Sequence, residues 1–313
     1  MNIAILGSTS EIAKDIIYLF SKRTNYSLHL FSRNKEYLIN WSTLNNLTSK
    51  ILCETYENFN YKGNYNVIIN FIGAGNPEKV KNISSTIIDI TYEYDTLALN
   101  YLKNNPECKY IFISSGAVYG DNFEYPVNSN SKTILNNNKI SNNDVYSIAK
   151  FHSEIRHRLL TDLGIVNVRI FNYFSRTMSL NSSYLITNIL SSLLNKTKFL
   201  TNKENIARDY ISAFDLYDLI LNIILTNHIN VTCDIYTKKH VKKLDLLDLL
   251  KTNYGLKYEI LNNYEELINK ETIKMNYYSN NKDAEKYFNY TPKFTSLENL
   301  NTEILKINSK LDY

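Results

Sequence analysis

The sequence predicts a doubly wound parallel α/β sheet with a smaller, split C-terminal domain, and three observations carry that prediction. Through the first half of the chain, short β-branched runs alternate with longer amphipathic stretches. A glycine turn follows the first of those runs and opens a helix. From about Asn172 the alternation loosens into shorter pieces. Strand-helix alternation implies a parallel sheet covered on both faces. Ligands bind such sheets at the carboxyl ends of the strands, so the residues just after each strand are the ones to read for chemistry.

The strands are read at Ile3 to Leu6, Ser27 to Phe31, Val67 to Phe71, Tyr110 to Ser114 and Val166 to Phe171. Between them Glu11 to Ser21, Ile83 to Lys103 and Val145 to Leu163 carry helical spacing. The Asn-rich stretch Asn128 to Asp144 reads as a loop. Phe214 to Leu225 is expected to pack back on the first half. The expected division is therefore residues 1–171, with about 209–236, as one domain, and 172–208 with 237–313 as the other. No internal repeat is visible.

Composition narrows the class of function. With 313 residues, of which 44% are hydrophobic, the chain can bury a sizeable core. A net charge of +4 from 21% charged residues leaves no clustered basic footprint, so nucleic acid is not expected as a partner. Cys53, Cys108 and Cys233 are odd in number and far apart, which argues against a disulfide framework or a thiolate metal site. The five histidines lack metal-ligand spacing, so no metal is expected. The N-terminus enters a strand directly and no apolar run reaches the roughly 18 residues of a membrane span, so a cytoplasmic protein with no membrane partner is expected. The 26 tyrosines, beside 8 glycines and 4 prolines, read as compositional drift.

Four motifs resist that drift. Gly7-Ser8-Thr9-Ser10-Glu11-Ile12-Ala13 follows the first strand, where a Rossmann-like unit places a pyrophosphate on a helix N-terminus. Ser10 and Ala13 stand where that fingerprint has its second and third glycines, small but less permissive. Ser32-Arg33-Asn34 ends the second strand without the acid that usually holds the ribose hydroxyls of NAD. Arg33 and Ser32 therefore point to a 2′-phosphate and to NADP(H), with NAD(H) as the other option. Ser114-Ser115-Gly116-Ala117-Val118-Tyr119-Gly120 ends a later strand, and Tyr146-Ser147-Ile148-Ala149-Lys150 opens the next helix. Tyr146 and Lys150, four apart, share a helical face, so the ammonium is expected to lower the phenol pKa and make Tyr146 a proton donor, with Ser115 on the same substrate oxygen.

In order and spacing these motifs resemble the extended short-chain dehydrogenase/reductases of the nucleotide-sugar epimerase, dehydratase and reductase type. Further matches are Arg169 to Asn172, Ala207 to Ile211 with Asp215, and Phe288 to Pro292. The resemblance implies Ser115, Tyr146 and Lys150 as the catalytic triad, with Lys150 also on the nicotinamide ribose. Cofactor contacts are expected at Gly7, Thr9, Ser10, Glu11, Ile12, Ser32, Arg33, Phe71, Gly73, Tyr146 and Lys150, and substrate contacts at Ser115 and, by the resemblance, at Asn172, Arg208 and, through a loose match, Lys270. In that family the helices 83–103 and 145–163 pair into a four-helix interface, so a homodimer is expected.

The departures also inform. Gly116-Ala117 stand where the dehydratases carry an acid pair, which argues against a 4,6-dehydratase. Ser175 replaces a glycine of the substrate loop, and Asn70-Phe71-Ile72-Gly73-Ala74-Gly75 replaces the usual motif after its strand. The expected function is NADPH-dependent reduction of a nucleotide-linked keto-sugar of the 4-keto-6-deoxy-hexose type. The alternatives are an NAD-dependent nucleotide-sugar epimerase and, outside catalysis, a cofactor-sensing or RNA-binding module of the same fold.

Overall fold

The computed structural model describes residues 1–47, 50–59, 63–73, 86–136, 138–182, 184–261 and 274–308. Its first half runs β1 (Asn2–Leu6), α1 (Glu11–Arg23), β2 (Ser27–Phe31), α2 (Lys35–Leu44), β3 (Ile51–Glu54), β4 (Val67–Asn70), α3 (Ile87–Asn104), β5 (Lys109–Ser115), α4 (Asn142–Arg158) and β6 (Ile165–Ile170). It continues through β7 (Asn172–Tyr173), α5 (Leu185–Leu194), β8 (Phe199–Thr201), β9 (Ala207–Arg208), β10 (Tyr210–Ile211), α6 (Ala213–Leu225) and β11 (Val231–Asp234). The chain ends with β12 (Val241–Lys242), α7 (Lys243–Tyr254), β13 (Tyr258–Ile260), β14 (Asn276–Tyr277), α8 (Asp283–Phe288) and α9 (Ser296–Asn308).

Seven strands form one sheet in the order β11-β6-β5-β4-β1-β2-β3, and every pairing in it is parallel. Leu6 pairs with both Phe31 and Asn70, so β1, β2 and β4 end in line and open one crevice at their carboxyl ends. Every residue of β4 and β6 is buried, as expected when helices cover both faces of a sheet. On one face α1 and α6 meet through Phe20 and Tyr217, with ring centres 5.0 Å apart, and Arg23 lies over Phe214. On the other, α3 buries Leu99, Tyr101 and Leu102 against Tyr110 and Phe112 of β5.

Two sequence readings shift. β3 and α2 were not expected. The helix read to Leu163 ends at Arg158, because the Asn230 amide donates to the carbonyls of His157 and Leu160, 2.8 Å each, closing the helix before the turn into β6. Residues 83–85 of the expected 83–103 helix, Gly75 and Lys270 lie outside the described residues. β11 adds to the main sheet beside β6, while Phe174, Ile189, Leu246, Leu250 and Leu300 form a separate core among the short elements of the second half. No helix among the described residues is long and apolar enough to cross a membrane.

A buried polar cluster joins these layers behind the crevice. Arg169 of β6 reaches Glu154 of α4 at 2.5 Å, and its other nitrogen donates to the Tyr119 hydroxyl at 2.7 Å. Ser114 donates to the same Glu154 at 2.7 Å, and Asp234 accepts from Tyr119 and Ser279. Burial pushes the Glu154 carboxyl up, but Arg169 and the hydrogen bonds outweigh it and hold the group below its ordinary value. A depressed carboxylate stabilises the fold above its unfolded pKa, and that contribution disappears as pH falls through the folded value. Glu154→Ala leaves the Arg169 charge buried with reduced compensation and is expected to cost about 3–5 kcal/mol in urea unfolding at neutral pH. The difference from the unsubstituted chain should shrink on acidification below about pH 4.

Candidate active site

The crevice is built from the carboxyl ends of β1, β2, β4 and β5 and from the first turns of α1 and α4. At its floor Gly7 takes φ +75°, where a side chain would meet the backbone of Phe71 and Ile72 at 3.0 Å. The Ser10 hydroxyl caps α1 by accepting from the Ala13 amide at 3.1 Å. The amides of Thr9, just before the cap, and of Glu11 and Ile12 in the first turn find no acceptor among the described residues, leaving donors at this helix N-terminus beside Gly7. Thr9 is exposed, and the Glu11 carboxylate accepts from the Ser179 amide at 3.0 Å.

At the end of β2, Arg33 is exposed and forms no ion pair among the described residues. It lies near Tyr56 and Tyr94, whose rings are 4.4 Å apart, and the Tyr56 hydroxyl accepts from the Gly7 amide at 3.0 Å. Ser32 departs from its expected role. It is buried, and its hydroxyl donates to the Asn34 carbonyl and accepts from the Asn34 amide, because the chain turns tightly there to cap α2. Arg33 therefore stands without the serine as partner for a phosphate.

Lys150 occupies the centre. Its ammonium donates to the carbonyls of Ile72 at 2.8 Å and Ile113 at 2.9 Å, and sits 4.5 Å over the Phe112 ring. Gly73, at φ +146°, permits this, since a Cβ there would lie 2.7 Å from the Lys150 nitrogen. Phe71, just before, is buried in the sheet core rather than facing the crevice. Burial lowers the Lys150 pKa to about 7, against the opposing charges of Asp95 and Glu154.

Ser115, at the tip of β5, accepts from the Ala117 amide at 3.1 Å and lies within hydrogen-bonding reach of two phenols, Tyr146 and Tyr277. The pKa expectation for Tyr146 is corrected. Burial raises it, Ser115 partly offsets the rise, and the Lys150 ammonium is engaged by two carbonyls instead of facing the phenol. The side chains of Asn172 and Arg208 gather around Tyr277. Asn172 donates to its carbonyl at 3.4 Å, and the Arg208 guanidinium lies 5.8 Å from its ring while donating to the carbonyls of Ala207 and Lys274.

Tyr277, Tyr56 and Asp15 are site residues that sequence reasoning missed. Among 26 tyrosines neither phenol carries a local signal. Asp15 of α1 accepts from the hydroxyls of Tyr173 and Ser175 at 2.6 Å and of Thr177 at 2.8 Å. Ser175, where the resembled family has glycine, thus ties the loop after β7 to α1. Asp209, read as structural, accepts from Thr237 and Ser296 away from the crevice.

These residues fit an extended dinucleotide, with first-turn donors for a pyrophosphate, the Gly7 floor beneath it, and Lys150 and Tyr146 at the far end beside Ser115. The arrangement can hold a substrate oxygen between a hydroxyl and a phenol and pass a proton to it.

Residues 3–234 match the model of the NAD dependent epimerase/dehydratase family. No curated protein matches the sequence. The fold is similar to the UDP-glucuronic acid 4-epimerase of Bacillus cereus, solved with UDP-glucuronic acid and NAD, at 15% identity and TM-score 0.80 over 99% of this chain and 100% of that one. The UDP-glucose-4-epimerase of Stenotrophomonas maltophila, solved with NAD, gives 12% identity and TM-score 0.81 over 100% and 99%. The dTDP-glucose 4,6-dehydratase of Bacillus anthracis, solved with NAD, gives 16% and 0.78 over 99% and 97%. Tyr146→Phe should lower turnover of any carbonyl or carbinol substrate by about 10² to 10⁴ while leaving cofactor titration and the melting curve unchanged. Undiminished turnover would remove Tyr146 as the proton donor.

Proposed function

The chain belongs to the NAD dependent epimerase/dehydratase family, and from that premise we propose that it reduces a nucleotide-linked keto-sugar with NADPH. A nicotinamide bound in the crevice supplies hydride transfer, which no side chain can. The chain's own residues do the rest. Ser115 holds the sugar oxygen, Tyr146 delivers its proton to that oxygen, and Lys150 anchors the cofactor ribose beside them. Arg208, which like Asn172 lies against Tyr277, serves the substrate diphosphate, so that binding energy far from the reacting carbon positions the sugar.

The observation that carries the reductase reading is Arg33. It stands exposed at the end of β2, with no acid in Ser32-Arg33-Asn34 to accept from ribose hydroxyls. A guanidinium there favours a 2′-phosphate. A reductase also exchanges its cofactor at every turnover, whereas an epimerase recovers it in place. The second reading, a nucleotide-sugar epimerase that retains NAD, is favoured by neighbours solved with NAD.

Titration with both reduced cofactors separates the two. NADPH is expected to bind more tightly than NADH by about 1.5–3 kcal/mol, the range for a hydrogen bond to a charged group, and Arg33→Asp should reverse the order by adding repulsion. Stoichiometric NAD released on denaturation, with sugar epimerisation needing no added cofactor, would establish the epimerase instead.

A further inference from the structure

Behind Lys150 runs a line of buried polar groups that the site chemistry does not use. The Ile72 carbonyl, one of the two that hold the ammonium, belongs to a residue whose amide donates to Asn70 Oδ1 at 2.8 Å. With its oxygen so engaged, Asn70 turns its amide nitrogen to the Tyr110 hydroxyl at 2.9 Å. That hydroxyl must then donate onward, and it does so to Asp95 Oδ1 at 2.9 Å. Each partner's orientation is forced by the one before it. The line ends at Asp95 of α3, which is fully buried and also accepts from His157 at 2.7 Å and from Arg156 at 2.7 Å. His157 is held in turn by Asn167, 2.5 Å away, whose amide donates to Thr232.

We propose that Asp95 is a positioning residue for Lys150, acting through Tyr110 and Asn70 on the Ile72 carbonyl and through its charge on the ammonium. The inference deepens the proposed function and rests on the assignment of Lys150 to the cofactor ribose. Two independent features point the same way. The hydrogen bonds run unbroken from Asp95 to the amide of Ile72, the residue whose carbonyl Lys150 touches. Asp95 is also, with Glu154, one of two carboxylates whose charge opposes the burial of Lys150. The ionisable groups about the ammonium are Tyr146 and Glu154 on α4 and Asp95 on α3. Those about Asp95 are Tyr110 on β5 and Arg156 and His157 on α4.

Burial of an uncompensated cation favours its neutral form, so a lysine whose pKa is already about 7 is sensitive to small changes around it. Taking away the Asp95 charge lowers the pH at which Lys150 loses its proton. Taking away the Tyr110 hydroxyl leaves that charge in place but frees the Asn70 side-chain amide, which holds the Ile72 N–H and so the backbone on which the Ile72 carbonyl sits. The two substitutions therefore separate charge from geometry.

The test uses the full chain with Tyr110→Phe, Asp95→Asn and, as reference, Lys150→Ala, each titrated with NADH and with NADPH by cofactor fluorescence between about pH 6 and 9. Tyr110→Phe is expected to weaken binding of whichever cofactor the unsubstituted chain prefers by about tenfold, the size of one good hydrogen bond, with the pH midpoint for loss of binding unmoved. Asp95→Asn is expected to weaken binding and to move that midpoint to lower pH. A merely structural role would lower the melting temperature without changing the affinity of the folded protein or its pH profile. Should Asp95→Asn fail to fold, the affinity of Tyr110→Phe decides alone. Folded variants that bind within twofold of the unsubstituted chain, with the same midpoint, overturn the proposal while Lys150→Ala still binds weakly. A Lys150→Ala chain that binds as tightly as the unsubstituted one overturns the Lys150 assignment and the relay with it.

Discussion

A lysine ammonium with almost no solvent contact must find acceptors inside the protein, and the way Lys150 finds them organises the crevice. Its two carbonyls come from the ends of adjacent strands, Ile72 just after β4 and Ile113 within β5. Reaching both requires α4 to lie across those strand ends. It also requires a residue with no side chain at position 73, and the backbone there takes a φ that only glycine adopts readily. The same placement of α4 sets Tyr146, one turn earlier, beside Ser115. The proposed catalytic geometry thus follows from satisfying one buried charge.

The next turns of α4 are fixed by polar contacts as well. Glu154 pairs with Arg169 of β6, Arg156 pairs with Asp95 of α3, and His157 hydrogen-bonds the same Asp95. Through these contacts α4 is tied to the sheet and to α3 at once. Buried ion pairs add little stability over apolar packing, but they penalise alternative placements of the helix, and the site needs one placement. Asp15 performs a comparable task elsewhere, gathering the hydroxyls of Tyr173 in β7 and of Ser175 and Thr177 in the loop after it onto α1.

The main sheet was legible because each of its long strands is an apolar run ending at a motif of fixed spacing. Tyr146 and Lys150 were legible because four residues on a helix make one face, and Gly7 because a turn after β1 demands it. β3 was not, since Ile51–Glu54 is short, ends in a charge and sits among polar residues. Tyr277 and Tyr56 were hidden by an excess of tyrosine, and they reach Ser115 and Gly7 only through tertiary folding. The sign of the Tyr146 shift was misread because helical spacing predicts proximity to Lys150 but says nothing of burial or of the carbonyls that engage the ammonium. Ser32 was misread because its hydroxyl had a nearer partner in the backbone of Asn34.

Ser115, Tyr146 and Lys150 are proposed to serve hydride transfer to a carbon of a nucleotide-linked sugar. The most direct measurement supplies NADPH deuterated at the transferable position of nicotinamide C4, together with a nucleotide-linked 4-keto-6-deoxy-hexose, and follows the label by mass spectrometry and NMR. One deuterium is expected on the former keto carbon of the sugar for each NADPH oxidised, and none beyond the residual rate when Tyr146 is replaced by Phe. Deuterium that remains on the cofactor while the sugar is turned over would contradict it.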